Sequence, residues 1–132
     1  MIRKRFHIKL RGGKWYVTIF IPLTMCNVEE VFLCLDRLNI SDENKLKAIE
    51  NFRCGNKDNG VTFSNSMMRE TVSVFGVASN PGRCFNLIVH ELHHLSVHIA
   101  KSCGYDLEEE EVCYINGDIA EYIYPICKKL IT

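Results

Sequence analysis

His90, Glu91 and His94 are the residues whose types and spacing point most directly to chemistry. They stand in the run His90-Glu91-Leu92-His93-His94, a His-Glu-x-x-His pattern. On a helix, residues four apart lie on one face about one turn from each other, so both imidazoles can meet a single metal ion. Imidazole nitrogen is a good zinc ligand, and a catalytic zinc keeps one position open for water. Glu91 is rotated about 100° around the axis from His90, where it can take a proton from that water without binding the metal. The pattern predicts a zinc site with its own general base, the chemistry of a small metallohydrolase that cuts peptide bonds.

A catalytic zinc also needs a third protein ligand. On a wheel of the helix around His90, the residues Phe85, Ile88, Val89, Leu92, Leu95 and Ile99 collect on one arc, and His90 and His94 lie on the other side. Downstream, Val112, Ile115, Ile119, Ile123 and Ile126 form a second apolar stripe, with Glu110, Tyr114, Gly117 and Glu121 opposite it. Each helix is expected to bury one stripe and to turn its polar stripe toward the other helix. A carboxylate from Glu110 or Glu121 would then meet the histidine pair, and Gly117 would let the two backbones approach closely.

The remaining histidines and cysteines carry weaker signals. His98, four residues after His94, could be a third helical ligand, but on the wheel it drifts toward Glu91 and suits a supporting role. His93 falls on the far flank, and His7 sits in no pattern. Cys84 and Cys103 flank the histidine helix without the spacing of a nucleophile or a ligand.

These residues need elements to hold them. Arg5–Leu10 and Lys14–Ile21 read as two strands joined by a hairpin turn at Arg11-Gly12-Gly13. Asn27 is a plausible cap for a helix carrying Val28, Val31, Phe32, Leu35 and Leu38. Ser41 caps a second helix to about Phe52, with Asp42 and Glu43 at its positive end. A loop spans Gly55–Gly60, followed by strands at Val61–Ser64 and Glu70–Phe75. Asn80-Pro81 opens the histidine helix, which runs to about Ser102 and stops at Gly104. A last helix covers roughly Glu108–Leu130, with Pro125 expected to kink it.

With these pieces in place the chain resembles a gluzincin, the thermolysin-like branch of the zincin metallopeptidases. More narrowly, residues 61–120 resemble small metallopeptidase-like proteins of the phage and bacterial type. The resemblance rests on Val61-Thr62-Phe63-Ser64-Asn65, Ser73-Val74-Phe75-Gly76, Phe85-Asn86-Leu87-Ile88-Val89-His90-Glu91 and Glu110-Glu111-Val112-Cys113-Tyr114-Ile115-Asn116-Gly117-Asp118-Ile119. It covers under half the chain. It implies an α+β, zincin-like fold, in which a small mixed or antiparallel sheet packs on an active-site helix and a C-terminal helix. It also implies a strand that pairs with extended substrate and a helix-borne Glu ligand. The resemblance selects Glu110 as that ligand, with Glu121 as its substitute. Zinc, one ion per chain, would be held by His90, His94 and Glu110. Glu91 would be the base, and Tyr114 would steady a ligand or the oxyanion. A peptide or protein substrate could add as a strand at Glu70–Phe75.

Composition narrows the alternatives. A chain of 132 residues with 47% hydrophobic residues is expected to form one domain, residues 1–132, with a core of its own. Sixteen basic and sixteen acidic residues cancel, so there is no overall pull toward nucleic acid or membrane. The basic cluster Arg3–Lys14 and the acidic run Glu108–Glu111 read as solvated faces. The seven cysteines are odd in number and contain no Cys-x-x-Cys, which argues against a disulfide framework or a zinc ribbon and fits a reducing cytoplasm. No signal-peptide core and no apolar run of roughly 20 residues is expected to send the chain to a membrane. Two rivals to the peptidase remain: a catalytically silent zinc-binding module that docks a partner, and a metal-free helical interaction protein.

Overall fold

The computed structural model describes residues 2–10, 12–22, 28–53 and 57–131. Its elements run β1 (Ile2–Leu10), β2 (Gly13–Ile21), α1 (Val28–Arg37), α2 (Asp42–Arg53), β3 (Gly60–Asn65), β4 (Glu70–Phe75), α3 (Pro81–Cys103) and α4 (Glu110–Ile131). The fold is α+β, with one four-stranded mixed sheet in the order β1-β2-β4-β3. β1 and β2 form the expected hairpin, closed by Gly13 at a φ of +138° that a residue with a side chain rarely adopts. β4 then inserts parallel to β2, and β3 pairs antiparallel to β4 at the outer edge.

Alternation along β2 explains why helices cover both sides of the sheet. Trp15, Val17, Ile19 and Ile21 point to one face and join the cluster formed with α3 and α4. Phe20 points to the other and meets Val72, Val74, the α1 residues Val31, Cys34 and Leu35, and Leu38 just after α1. A strand apolar on both faces must be covered on both, because each side chain left in water would forgo about 1.5–3 kcal/mol of burial. α2 packs through Ala48 and Ile49, and its Lys45 ammonium sits 2.7 Å from Asp36 of α1 and 2.9 Å from Asp42.

Most expected boundaries agree with the structure to within two or three residues. The Ser41 hydroxyl accepts from the Asn44 N–H, as a cap does. The Asn27 cap and part of the Gly55–Gly60 loop lie outside the described residues. α4 continues through Pro125 to Ile131. Two expectations are corrected. Glu70–Phe75 is not available for strand addition: β4 is paired on both sides and buried along its whole length. Gly117 brings no helix close, since a Cβ placed there would meet nothing within 4 Å. No helix among the described residues is long and apolar enough to cross a membrane.

Candidate metal centre

α3 carries the centre, and its ends are well determined. The Asn80 side chain accepts from the Arg83 N–H at 2.8 Å, Pro81 occupies the first turn, and Gly104 closes the helix at φ 74° with its N–H on the Ala100 carbonyl. The buried side of α3 holds Cys84, Leu87, Ile88, Leu95, Ile99 and Ala100. Phe85 and Val89, expected in the apolar stripe, are about half exposed.

His90 and His94 stand on the exposed side of α3 with their Nε2 atoms 3.2 Å apart. Two nitrogens bound to one tetrahedral zinc at 2.0–2.1 Å are about 3.3 Å apart, so the pair is spaced as two ligands of one ion. Glu91 joins them in a group whose candidate ligand atoms all lie within 4.8 Å of one another, the only such group among the described residues. Its Oε1 is 4.0 Å from the His90 Nε2, longer than the spacing of two ligands. The gap leaves room for a water between carboxylate and metal, which suits a base better than a ligand.

The surroundings of Glu91 differ sharply from those of the histidines. It is 3% exposed, whereas the His90 side chain is 63% exposed. β3 creates the burial. Thr62 donates its hydroxyl to Glu91 Oε2 at 2.6 Å, and Ser73 of β4 stands 2.9 Å behind Thr62. Thr62 has one proton and gives it to the carboxylate, so Ser73 is the donor of that second bond. Gly60 supplies the space, because a Cβ there would lie 2.9 Å from Glu91 Cγ and 2.9 Å from Leu87 Cδ1.

A second polar chain ends at His98. Trp15 Nε1 donates to Thr71 Oγ1 at 2.9 Å, Thr71 meets Ser64 Oγ at 2.7 Å, and Ser64 meets His98 Nδ1 at 2.7 Å. Burial is the main cause that holds His98 below the ordinary histidine pKa, with smaller contributions from His94 and Lys101. His98 is thus tied to β3 through Ser64 rather than to Glu91. His93 is exposed.

The expected third ligand is not brought to this group. Glu110 is exposed at the first residue of α4, and Glu121 lines a surface depression with Lys9, Asp118 and Tyr122. Tyr114 is 66% exposed, in a hollow shared with Lys9, Leu10 and Tyr105. The reason lies in how the helices meet. α4 buries Val112, Ile115, Ile119, Ile123 and Ile126, as its stripe predicted. Its polar contact with α3 is the hydrogen bond from Ser96 to Asn116. Ser96 lies about 200° round the helix from His94. α3 thus has α4 on one flank and β3 on the other, and the histidines stand on the β3 flank.

Thr62 and Ser64 on β3, with Thr71 and Ser73 on β4, escaped the sequence reading. Their period-two placement marks one polar face of a hairpin, a signal that something polar must lie against it. Cys84 is buried, and burial raises its thiol pKa, which disfavours the reactive thiolate. Compared with known protein families, curated proteins and solved structures, the chain matches none.

Proposed function

We propose that this chain is a zinc-dependent metallopeptidase with a zincin-like arrangement of helix and sheet. The observation that carries the reading is the joint placement of three side chains. Two imidazole nitrogens lie at ligand spacing, and a buried carboxylate beside them is aimed by Thr62. A structural zinc site has no need of a base.

His90 and His94 would hold the ion, and Glu91 is the one further candidate donor grouped with them among the described residues. A bound zinc supplies Lewis acidity, polarising a carbonyl and making water easier to deprotonate. Glu91 accepts the proton through Oε1, which is the oxygen left free by Thr62, and returns it to the leaving amine. β3 has no strand on its outer edge among the described residues, so an extended peptide can pair with Gly60–Asn65 and lie across the histidines. The substrate-binding strand in this reading is β3, in place of β4.

A second reading is favoured by one observation: both histidines are exposed, and with Glu91 set aside as the base the group leaves two ligands among the described residues. Such a half-site could bind zinc jointly with a partner and serve docking without catalysis. One experiment separates the two. The purified chain is loaded with zinc, its metal content is measured, and a peptide library is followed for cleavage with and without Glu91→Gln. The peptidase reading expects about one zinc per chain. It also expects cleavage by the parent and a loss of about hundredfold or more in the variant, with zinc retained. Zinc binding without cleavage, together with zinc-dependent association, would support the docking reading. No zinc binding at all would remove both.

A further inference from the structure

We propose that His98 and Lys101 form a carboxylate-binding subsite one helical turn beyond the histidine pair, taking a peptide with a carboxylate about two residues from the bond that is cut. The inference rests on the peptidase reading and adds a substrate class to it.

The first support is the proton order in the chain that ends at His98. Trp15 Nε1 can only donate, so Thr71 Oγ1 accepts from it. The Thr71 hydroxyl then donates to Ser64, and Ser64 donates to His98 Nδ1. The reverse order would leave the buried Thr71 proton without an acceptor, a cost of about 1–3 kcal/mol. A neutral His98 therefore carries its proton on Nε2. That atom has no hydrogen-bond partner among the described residues and is not one of the buried orphaned atoms, so it is an open donor.

Lys101 is the second support. It is exposed, three residues after His98, and (i, i+3) positions are neighbours on a helix surface. It makes the smallest of three contributions to the low pKa of His98, and no hydrogen bond or ion pair holds it among the described residues. Two donors three residues apart on the helix, the His98 Nε2 and the Lys101 ammonium, have no acceptor among the described residues and suit an acceptor-only group, and a carboxylate has two oxygens to offer.

Spacing is the third. Four helical residues from His94 to His98 advance about 6 Å, and two residues of an extended peptide advance about 6.6–6.8 Å. The hydrogen bond from Ser64 places His98 against the far end of β3, while Thr62 places Glu91 near its middle. A peptide paired with β3 and cut beside Glu91 brings an alternate residue to His98.

The carboxylate can be an Asp or Glu side chain or a peptide C-terminus, and the test distinguishes them. The zinc-loaded full chain is given matched peptides with Asp or Asn two residues to either side of the scissile bond, each with a free or amidated C-terminus. The parent should prefer a carboxylate by about tenfold to hundredfold in kcat/KM. A preference that survives amidation assigns the side chain, and one that follows the free terminus assigns the terminus. Lys101→Gln, at an exposed position, should reduce the preference at least threefold. His98→Phe combined with Lys101→Gln should abolish it, while neutral peptides are cleaved as before and zinc binding is unchanged. His98→Gln, which keeps an N–H donor, should retain most of it. Equal cleavage of Asp and Asn peptides by the parent, or a preference that persists in the double variant, overturns the subsite and leaves the peptidase reading intact. A zinc-loaded parent that cleaves nothing overturns both.

Discussion

Gly60 has no side chain, and Glu91 occupies the space this leaves. A methyl group there would come within 2.9 Å of Glu91 Cγ, inside the contact distance of two carbons. Gly60→Ala should therefore shift the carboxylate while the histidines, on the exposed side of α3, stay paired. A displacement of about 1 Å in a catalytic group can cost roughly a hundredfold in rate. The expected outcome is zinc binding equal to the parent with cleavage reduced at least tenfold, measured by metal titration and peptide turnover side by side. Unchanged turnover would mean that the position of Glu91 is not critical. The cysteines give a residue-scale check that needs no substrate. Burial pushes the Cys127 thiol up to about 11 and raises Cys84 as well, whereas Cys113 is exposed. Since the thiolate is the reactive form, iodoacetamide at pH 8 should modify Cys113 well before Cys84 or Cys127, as read by peptide mass spectrometry.

Elements decide which residues meet. α3 hydrogen-bonds to the hydroxyl-bearing side chains of β3 and meets α4 mainly through apolar ones, so the two flanks of one helix have different chemistry. Glu110→Ala should then leave zinc affinity within about threefold of the parent, while His94→Ala should weaken it by roughly a hundredfold or more. A clear loss in the Glu110 variant would mean that α4 reaches the metal after all. The segment leading into β3 has its own fastening. Asp58 sits at φ 64°, which Asp and Asn tolerate, and its carboxylate accepts from the Ser79 N–H and Oγ, each at 2.9 Å. Those bonds hold its pKa below the ordinary 3.8. A folded pKa lower than the unfolded one contributes stability above pH 3.8 and loses it as the pH falls through the folded value. Asp58→Asn should lower Tm at neutral pH, with the difference shrinking in acid, as followed by circular dichroism. A difference that persists undiminished at the lowest pH would assign the effect to shape rather than charge.

At the scale of the whole molecule, the sheet lies between two apolar clusters, one on each face. Leu35 is fully buried on the α1 side and Ile99 on the α3 side. Either one changed to Ala should cost about 2–5 kcal/mol. Because the sites lie on opposite faces, the double variant should show the sum to within about 0.5 kcal/mol. Urea unfolding followed by two probes should give one transition in every case. A separate early transition in Leu35→Ala would mean that the α1–α2 layer unfolds on its own.

Much of this was legible in the linear order of residues, because it depends on neighbours within one turn or one strand. Local spacing is enough to place His90 and His94 on one face, to cap α3 at Asn80 and close it at Gly104, and to mark Val112 through Ile126 as the buried stripe of α4. The order of strands was not legible, since β4 enters between β2 and β3 through pairings that no local pattern encodes. For the same reason the burial of Glu91 under Gly60 and Thr62, the tie from His98 through Ser64 to Trp15, and the outward turn of Glu110 and Tyr114 emerge only in three dimensions. A helix wheel ranks faces by polarity, but an exposed polar face and a polar face turned toward a partner look alike on it. Residues far apart in the chain decide which is which, and here β3 rather than α4 lies beside the histidines.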